Sequence, residues 1–169
     1  MIEVYSPAEL DEREQKVLAA AERAAREIRA TCGSGIEFLR RLKFEECGRH
    51  PVEDRGLNLI EQVNQTFTYL ASFRAARELF RLHPEVEGLR LNIGTEAGSD
   101  VEDLTRAVVA AEVFAAVDPR NNRKFSKDIN KVATSAARHK YVFFATPKFP
   151  AGRKPHLERD GVQVWCVEL

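Results

Sequence analysis

Gly98-Ser99-Asp100-Val101-Glu102-Asp103-Leu104, followed after two residues by Ala107-Val108-Val109-Ala110-Ala111-Glu112-Val113-Phe114-Ala115-Ala116-Val117, is the stretch on which the fold turns. Alanine favours a helix over 107–117. The clustered valines, the short length and the Asp118-Pro119 stop favour a buried strand instead, with a preceding strand entered at Asp100. On that reading Glu112 is the sole charged side chain of a buried strand. A buried carboxylate without a partner is costly, so it needs a cation, a basic partner or a proton.

Outward from this stretch the elements fall into order. Residues 57–83 place Leu59, Ile60, Val63, Phe67, Leu70, Phe73, Ala76, Leu79 and Phe80 at helical spacing, and His83-Pro84 ends the helix. Residues 88–94 read as a strand, and Gly94 to Ser99 as a turn. After Pro119, Phe125, Ile129 and Val132 mark one face of a helix over 121–137 whose other side is basic. Residues 141–145 are a further strand, 147–161 a loop rich in Pro and Gly, and Val162 to Val167 the last strand, in which Trp165 reads as core. Upstream, Ser6-Pro7-Ala8-Glu9 opens a helix running to Cys32-Gly33, with a stripe of Leu18, Ala19, Ala21, Ala24, Ala25 and Ile28. Ser34-Gly35-Ile36-Glu37 starts a short helix to about Phe44, and Glu45 to Gly56 reads as a loop. The whole predicts an α/β protein, a mixed β-sheet flanked by helices, built as one domain with residues 1–56 as an N-terminal helical extension to a core of 57–169.

Composition bounds the function classes. With 44% hydrophobic and 31% charged residues, the 169-residue chain has the make-up of an ordinary globular domain. It lacks an apolar run long enough to span a bilayer, and its start lacks a basic, apolar signal, so a cytoplasmic protein is expected. Cys32, Cys47 and Cys166 show no metal-ligand spacing and read as reduced thiols. Net charge is zero but unevenly spread: residues 1–118 hold 15 Lys/Arg against 22 Asp/Glu, whereas 119–154 hold 10 against Asp128 alone. Such a segment can attract a polyanion, or it can be a solvated basic face. No Walker loop, dinucleotide-binding glycine motif or Ser-His-Asp layout is present. His139 and His156 stand isolated in the sequence.

From residue 57 onward the order of helix, three-strand meander, helix, strand and strand, with Asp100 on the second strand and Glu112-Val113-Phe114 on the third, resembles the core of the PD-(D/E)XK nuclease superfamily. That family includes many type II restriction endonucleases. The resemblance covers about two thirds of the chain and rests on element order and two acids. It implies a restriction-endonuclease-like fold, a Mg²⁺ or Mn²⁺ cofactor bound by Asp100 and Glu112, and a DNA substrate. Glu61, on the first core helix, is the candidate for a further ligand; Glu102 and Asp103 are close enough to replace Asp100. The family's motif lysine falls at Phe114, which cannot carry charge. The resemblance allows a lysine from the following helix instead, where Lys127 is the first candidate and Lys131 the second. Arg120, Asn122, Arg123, Lys124, Arg153 and Lys154 are the candidates for phosphate contact. Two readings remain open: a metal-dependent endonuclease, and a nucleic-acid-binding or regulatory protein that keeps the fold without the chemistry. The long helices can also build a homodimer or simply cover the sheet.

Overall fold

The computed structural model describes residues 1–30, 32–53, 55–93, 98–119 and 123–169. The chain divides into two compact units, Met1–Leu10 with Ala71–Leu169, and Asp11–Leu70. Among the described residues no helix is long and apolar enough to cross a membrane.

The larger unit is built on a seven-stranded mixed sheet in the order β1-β4-β5-β6-β7-β9-β8. Its strands are β1 (Ile2–Val4), β4 (Leu89–Leu91), β5 (Val101–Asp103), β6 (Val109–Ala115), β7 (His139–Ala145), β8 (Gly152–Arg153) and β9 (Val162–Val167). From β1 to β6 the neighbours are antiparallel; β6, β7 and β9 run parallel, and β8 returns antiparallel on β9. Residues 107–117 thus hold a strand, as the valines favoured. β6 is buried at every position but its last, as expected of a parallel strand covered on both faces.

Helix α4 (Lys124–Ala133) connects β6 to β7. It lays Ile129 and Val132, both fully buried, against Ala110, Phe114, Val142, Phe144, Val162, Val164 and Cys166, with Phe125 packed at the margin. Burying two such aliphatic side chains contributes roughly 1.5–3 kcal/mol each. The period of two in β9 assigns Val162, Val164 and Cys166 to this closed face and leaves Trp165 half-buried on the other. Trp165 is therefore not the core residue its spacing predicted.

Five short elements differ from the expectation. β1 is only three residues long, and the loop 147–161 contains the two-residue β8 and a 3-10 turn at Pro155–Leu157. In the smaller unit a two-residue pair, β2 (Gly48–Arg49) and β3 (Gly56–Leu57), closes the segment expected to be a plain loop.

Helices α1 (Pro7–Ala30) and α3 (Leu59–Leu82) belong to both units, and α2 (Gly35–Phe44) to the smaller one. The caps follow the sequence: the Ser6 hydroxyl accepts the Glu9 N–H at 3.4 Å, and Glu37 Oε2 accepts the Ser34 N–H at 3.0 Å. The buried faces follow it only in part. α1 buries Leu10, Val17, Ala20 and, as expected, Ala24, leaving Leu18 and Ile28 exposed. α3 buries Leu59, Phe73, Ala76 and Leu79 as expected, but in its first half it turns Gln62, Thr66 and Tyr69 inward and leaves Ile60, Val63 and Phe67 exposed. The reason lies at Gln62. Its Nε2 donates to Ala20 O at 2.9 Å and its Oε1 accepts the Arg49 N–H at 2.8 Å, so a polar side chain is fully satisfied inside and sets the helix rotation.

A candidate acidic site under helix α4

Asp100 enters β5 from Gly98, whose φ of +113° favours glycine. Its Oδ2 accepts the Val113 N–H at 2.8 Å, which ties it to the middle of β6. Glu112, one residue earlier on β6, faces α4 beside Ala110 and Phe114, since alternate residues of a strand share a face. It is 1% exposed.

Helix α4 supplies the remaining groups. Lys131 Nζ donates to Glu112 Oε2 at 2.8 Å. Asp128, also buried, accepts Lys124 Nζ on Oδ1 at 2.7 Å, an i,i+4 pair. Lys124 Nζ also lies 5.6 Å from the Phe114 ring centroid, a cation–π distance. Glu112 Oε1 and Asp128 Oδ2 are buried and have no hydrogen-bond partner among the described residues.

The electrostatics follow from burial and crowding. Burial, then the neighbouring Asp100 charge, pushes the Glu112 carboxyl up to about 7 against the pull of Lys131, and Asp128 adds to the rise. Asp128 is likewise raised, by burial first, with Lys124 opposing and Asp100 reinforcing. Lys131 is raised: burial alone would lower it, but Glu112, Asp100 and Asp128 together outweigh that. Glu112 and Asp128 are both raised beside the Asp100 charge and each keeps one orphaned oxygen, so this region is short of positive charge, although among the described residues the oxygens of Asp100, Glu112 and Asp128 do not all lie within 4.8 Å of one another. The donors are all oxygens, the set that suits a hard cation such as Mg²⁺ or Mn²⁺.

The other sequence candidates separate cleanly. Glu102 is held by Arg106 at 2.9 Å and Arg90 at 3.7 Å, and receives Asn92 Nδ2 at 3.3 Å. Asp103 accepts the N–H groups of Val108 and Val109 at 2.9 Å each, together with the Thr105 hydroxyl. Burial would raise its carboxyl, but these donors win and hold it below the usual range. Both acids are thus engaged elsewhere, and Asp100 is the one of the three tied to β6 beside Glu112.

Glu61 stands exposed in the first turn of α3, in the Asp11–Leu70 unit, its N–H capped by Asn58 Oδ1 at 2.8 Å. Lys127 is exposed on α4, and Lys131 is the lysine that reaches Glu112. Phe114 is 5% exposed and stacks on Phe144 at 5.9 Å, so the motif-lysine position belongs to the core.

Among the phosphate candidates, Arg120 and Asn122 lie outside the described residues. Arg123 is exposed and left-handed at φ 56°. Arg153 forms a two-pronged pair with Glu158 at 2.7 and 2.9 Å, and Lys154 is buried.

Two features had no place in the sequence reading. Asp128 was counted there only as the lone acid of a basic segment; its i,i+4 spacing from Lys124 was the available signal. A cleft of about 790 Å³ in the smaller unit is lined by Arg23, Arg26, Arg41 and Arg49 with Glu27, Glu45 and Glu46, within the segment expected to be a helical extension. Comparison with family models, with curated proteins and with solved structures finds no match to this chain.

Proposed function

We propose that the chain is a divalent-metal-dependent endonuclease that hydrolyses DNA phosphodiester bonds on a restriction-endonuclease-like core. The observation that carries this reading is the pair of buried, unpartnered carboxylate oxygens, Glu112 Oε1 and Asp128 Oδ2, beside Asp100 and Lys131. The antiparallel run β4-β5-β6, the helix α4 and the parallel return on β7 support the same core.

Asp100, Glu112 and Asp128 would hold the cation by drawing together oxygens that do not all lie within 4.8 Å of one another without it. Bound there, Mg²⁺ or Mn²⁺ supplies Lewis acidity to a phosphoryl oxygen and eases ionisation of an attacking water. The protein's own groups do the rest. Lys131 opposes the rise of the Glu112 carboxyl, and its half-exposed ammonium can turn from Glu112 to a non-bridging phosphate oxygen. Lys124 is held by Asp128 over the Phe114 ring and offers a second positive charge at the same edge. Phe114 and Phe144 exclude water from the inner side, which strengthens each of these interactions.

A second reading is a nucleic-acid-binding or regulatory protein without catalysis, and one observation favours its regulatory form. Four of the ten basic side chains of 119–154 are already paired with acids, which lowers the charge left for a polyanion: Lys148 pairs with Asp118 at 2.7 Å, Arg153 with Glu158, Lys124 with Asp128 and Lys131 with Glu112. Supercoiled plasmid and labelled linear duplex incubated with Mg²⁺ or Mn²⁺ separate the two. The endonuclease reading expects nicked and linear products from the native chain, none with EDTA, and none from Glu112→Gln or Lys131→Met. Intact DNA in either metal, with a folded chain that still retards the duplex, supports the second reading and sinks the first.

A further inference from the structure

On the other face of the sheet three side chains of the larger unit converge. His83 closes the last turn of α3, its N–H on Leu79 O at 2.9 Å; Glu85 follows two residues later, and His139 opens β7. Alternation along β7 puts His139 and Tyr141 opposite Val142 and Phe144, which lie under α4 with Ala110 and Phe114. The trio is therefore separated from Glu112 by the sheet itself.

One ligand atom from each of His83, Glu85 and His139 lies within 4.8 Å of the other two. His83 is fixed at both ring nitrogens: Nε2 is 2.7 Å from the Tyr141 hydroxyl, and Nδ1 is 3.3 Å from Glu85 Oε1. The His139 ring stands 4.5 Å from it, centroid to centroid, at 37°. A tetrahedral Zn²⁺ with bonds of about 2.0–2.2 Å sets its ligand atoms about 3.3–3.6 Å apart. The Nδ1–Oε1 separation already has that value. A ligating imidazole also characteristically donates its second N–H to an oxygen, the place Tyr141 fills here. Burial closes the His83 side, while Glu85 is exposed and His139 half-buried, which leaves a path of entry and a fourth position open.

We propose that His83, Glu85 and His139 bind a borderline-soft divalent cation of the Zn²⁺ class, with water or a small ligand in the fourth position. Two imidazoles and one carboxylate suit such an ion, whereas the all-oxygen group under α4 suits Mg²⁺ or Mn²⁺. The two sites hence differ in metal as well as in place, and this one does not depend on the nuclease reading. The competing arrangement is a hydrogen-bond relay without an ion, in which the Tyr141 hydroxyl donates to Nε2 and Nδ1–H donates to Glu85.

The test is titration of the EDTA-dialysed chain with Co²⁺, read by its visible ligand-field absorption, followed by displacement with Zn²⁺. Cys32 is exposed and is a competing soft ligand, so a Cys32→Ser chain is titrated beside the native one. The expected result is one equivalent with a four-coordinate band, displaced by Zn²⁺ and unchanged by Cys32→Ser or by Glu112→Gln. His139→Ala and Glu85→Gln, at the open side where folding is least at stake and checked by circular dichroism, abolish the band. Tyr141→Phe retains it with affinity reduced about 10–100-fold. Absence of a saturable band, a band that survives both His139→Ala and Glu85→Gln, or one lost with Cys32→Ser overturns the proposal in favour of the relay.

Discussion

Replacing Glu112 by Gln tests the electrostatics of the acidic site through folding stability alone. In the folded chain the Glu112 carboxyl titrates at about 7 against an ordinary value of 4.5. The folded state therefore keeps a proton that the unfolded chain has already released between those two values. Its contribution is complete below pH 4.5 and is lost as pH rises through about 7. At about 1.4 kcal/mol per decade the loss is at most about 3 kcal/mol, reached near pH 8. Gln has the same shape and does not titrate. In EDTA the difference in unfolding free energy, Glu112→Gln minus native, should thus be near zero or slightly negative at pH 4.5 and climb by about 2–3 kcal/mol by pH 8. The assay is urea unfolding by far-UV circular dichroism at half-unit pH steps. Taking the difference cancels the shared titration of other groups, including His50, whose pKa burial lowers. A difference flat with pH, or one that falls as pH rises, refutes the burial of an acid crowded by Asp100 and Asp128.

Lys131→Met should move the Glu112 titration further upward and abolish any cleavage. Lys127→Met, on an exposed position, should change stability by no more than about 0.5 kcal/mol. Equal effects in the two would contradict the proposed role of Lys131 over Lys127. Phe114→Lys supplies the lysine of the nuclease motif that the sequence resembles but inserts an ammonium among Phe144, Ile129 and Val132. It should cost about 3 kcal/mol or more and give no gain in cleavage, read by urea midpoint and plasmid assay. Asp103→Ala leaves the Val108 and Val109 N–H groups without their acceptor and should destabilise by about 2–4 kcal/mol at pH 7. Because that carboxyl sits below its ordinary value of 3.8, its stabilisation is present above that value and fades as pH falls through the lowered one. The Asp103→Ala deficit should shrink in acid.

How far the sequence could be read depends on which physical signal each element carries. Valine clustering and a Pro stop marked β6 because a strand buried on both faces must be apolar throughout. The one acid inside it announced itself for the same reason. α4 was legible through Phe125, Ile129 and Val132, but its polar face was not. Lys127 and Lys131 share a side in one dimension, and only the register of the helix over β6 brings Lys131 to Glu112. Asp128 was masked by the positive charge around it. The second half of α3 was legible through Phe73, Ala76 and Leu79, whereas its first half was not, because Gln62, polar by type, is satisfied by Ala20 and Arg49, partners 42 and 13 residues away. β1 and β8 are too short to have a period. His83, Glu85 and His139 come together from α3, its trailing loop and β7, and no spacing along the chain encodes that meeting.

Calorimetric titration with Mn²⁺ at pH 7.5 tests the central claim most directly, since the proposed cleavage requires a cation at the acidic site. The account predicts one saturable event per native chain that survives His139→Ala, is lost in Glu112→Gln, and is weakened in Asp128→Asn. No saturable binding to the native chain, or binding of equal strength in Glu112→Gln, would contradict it.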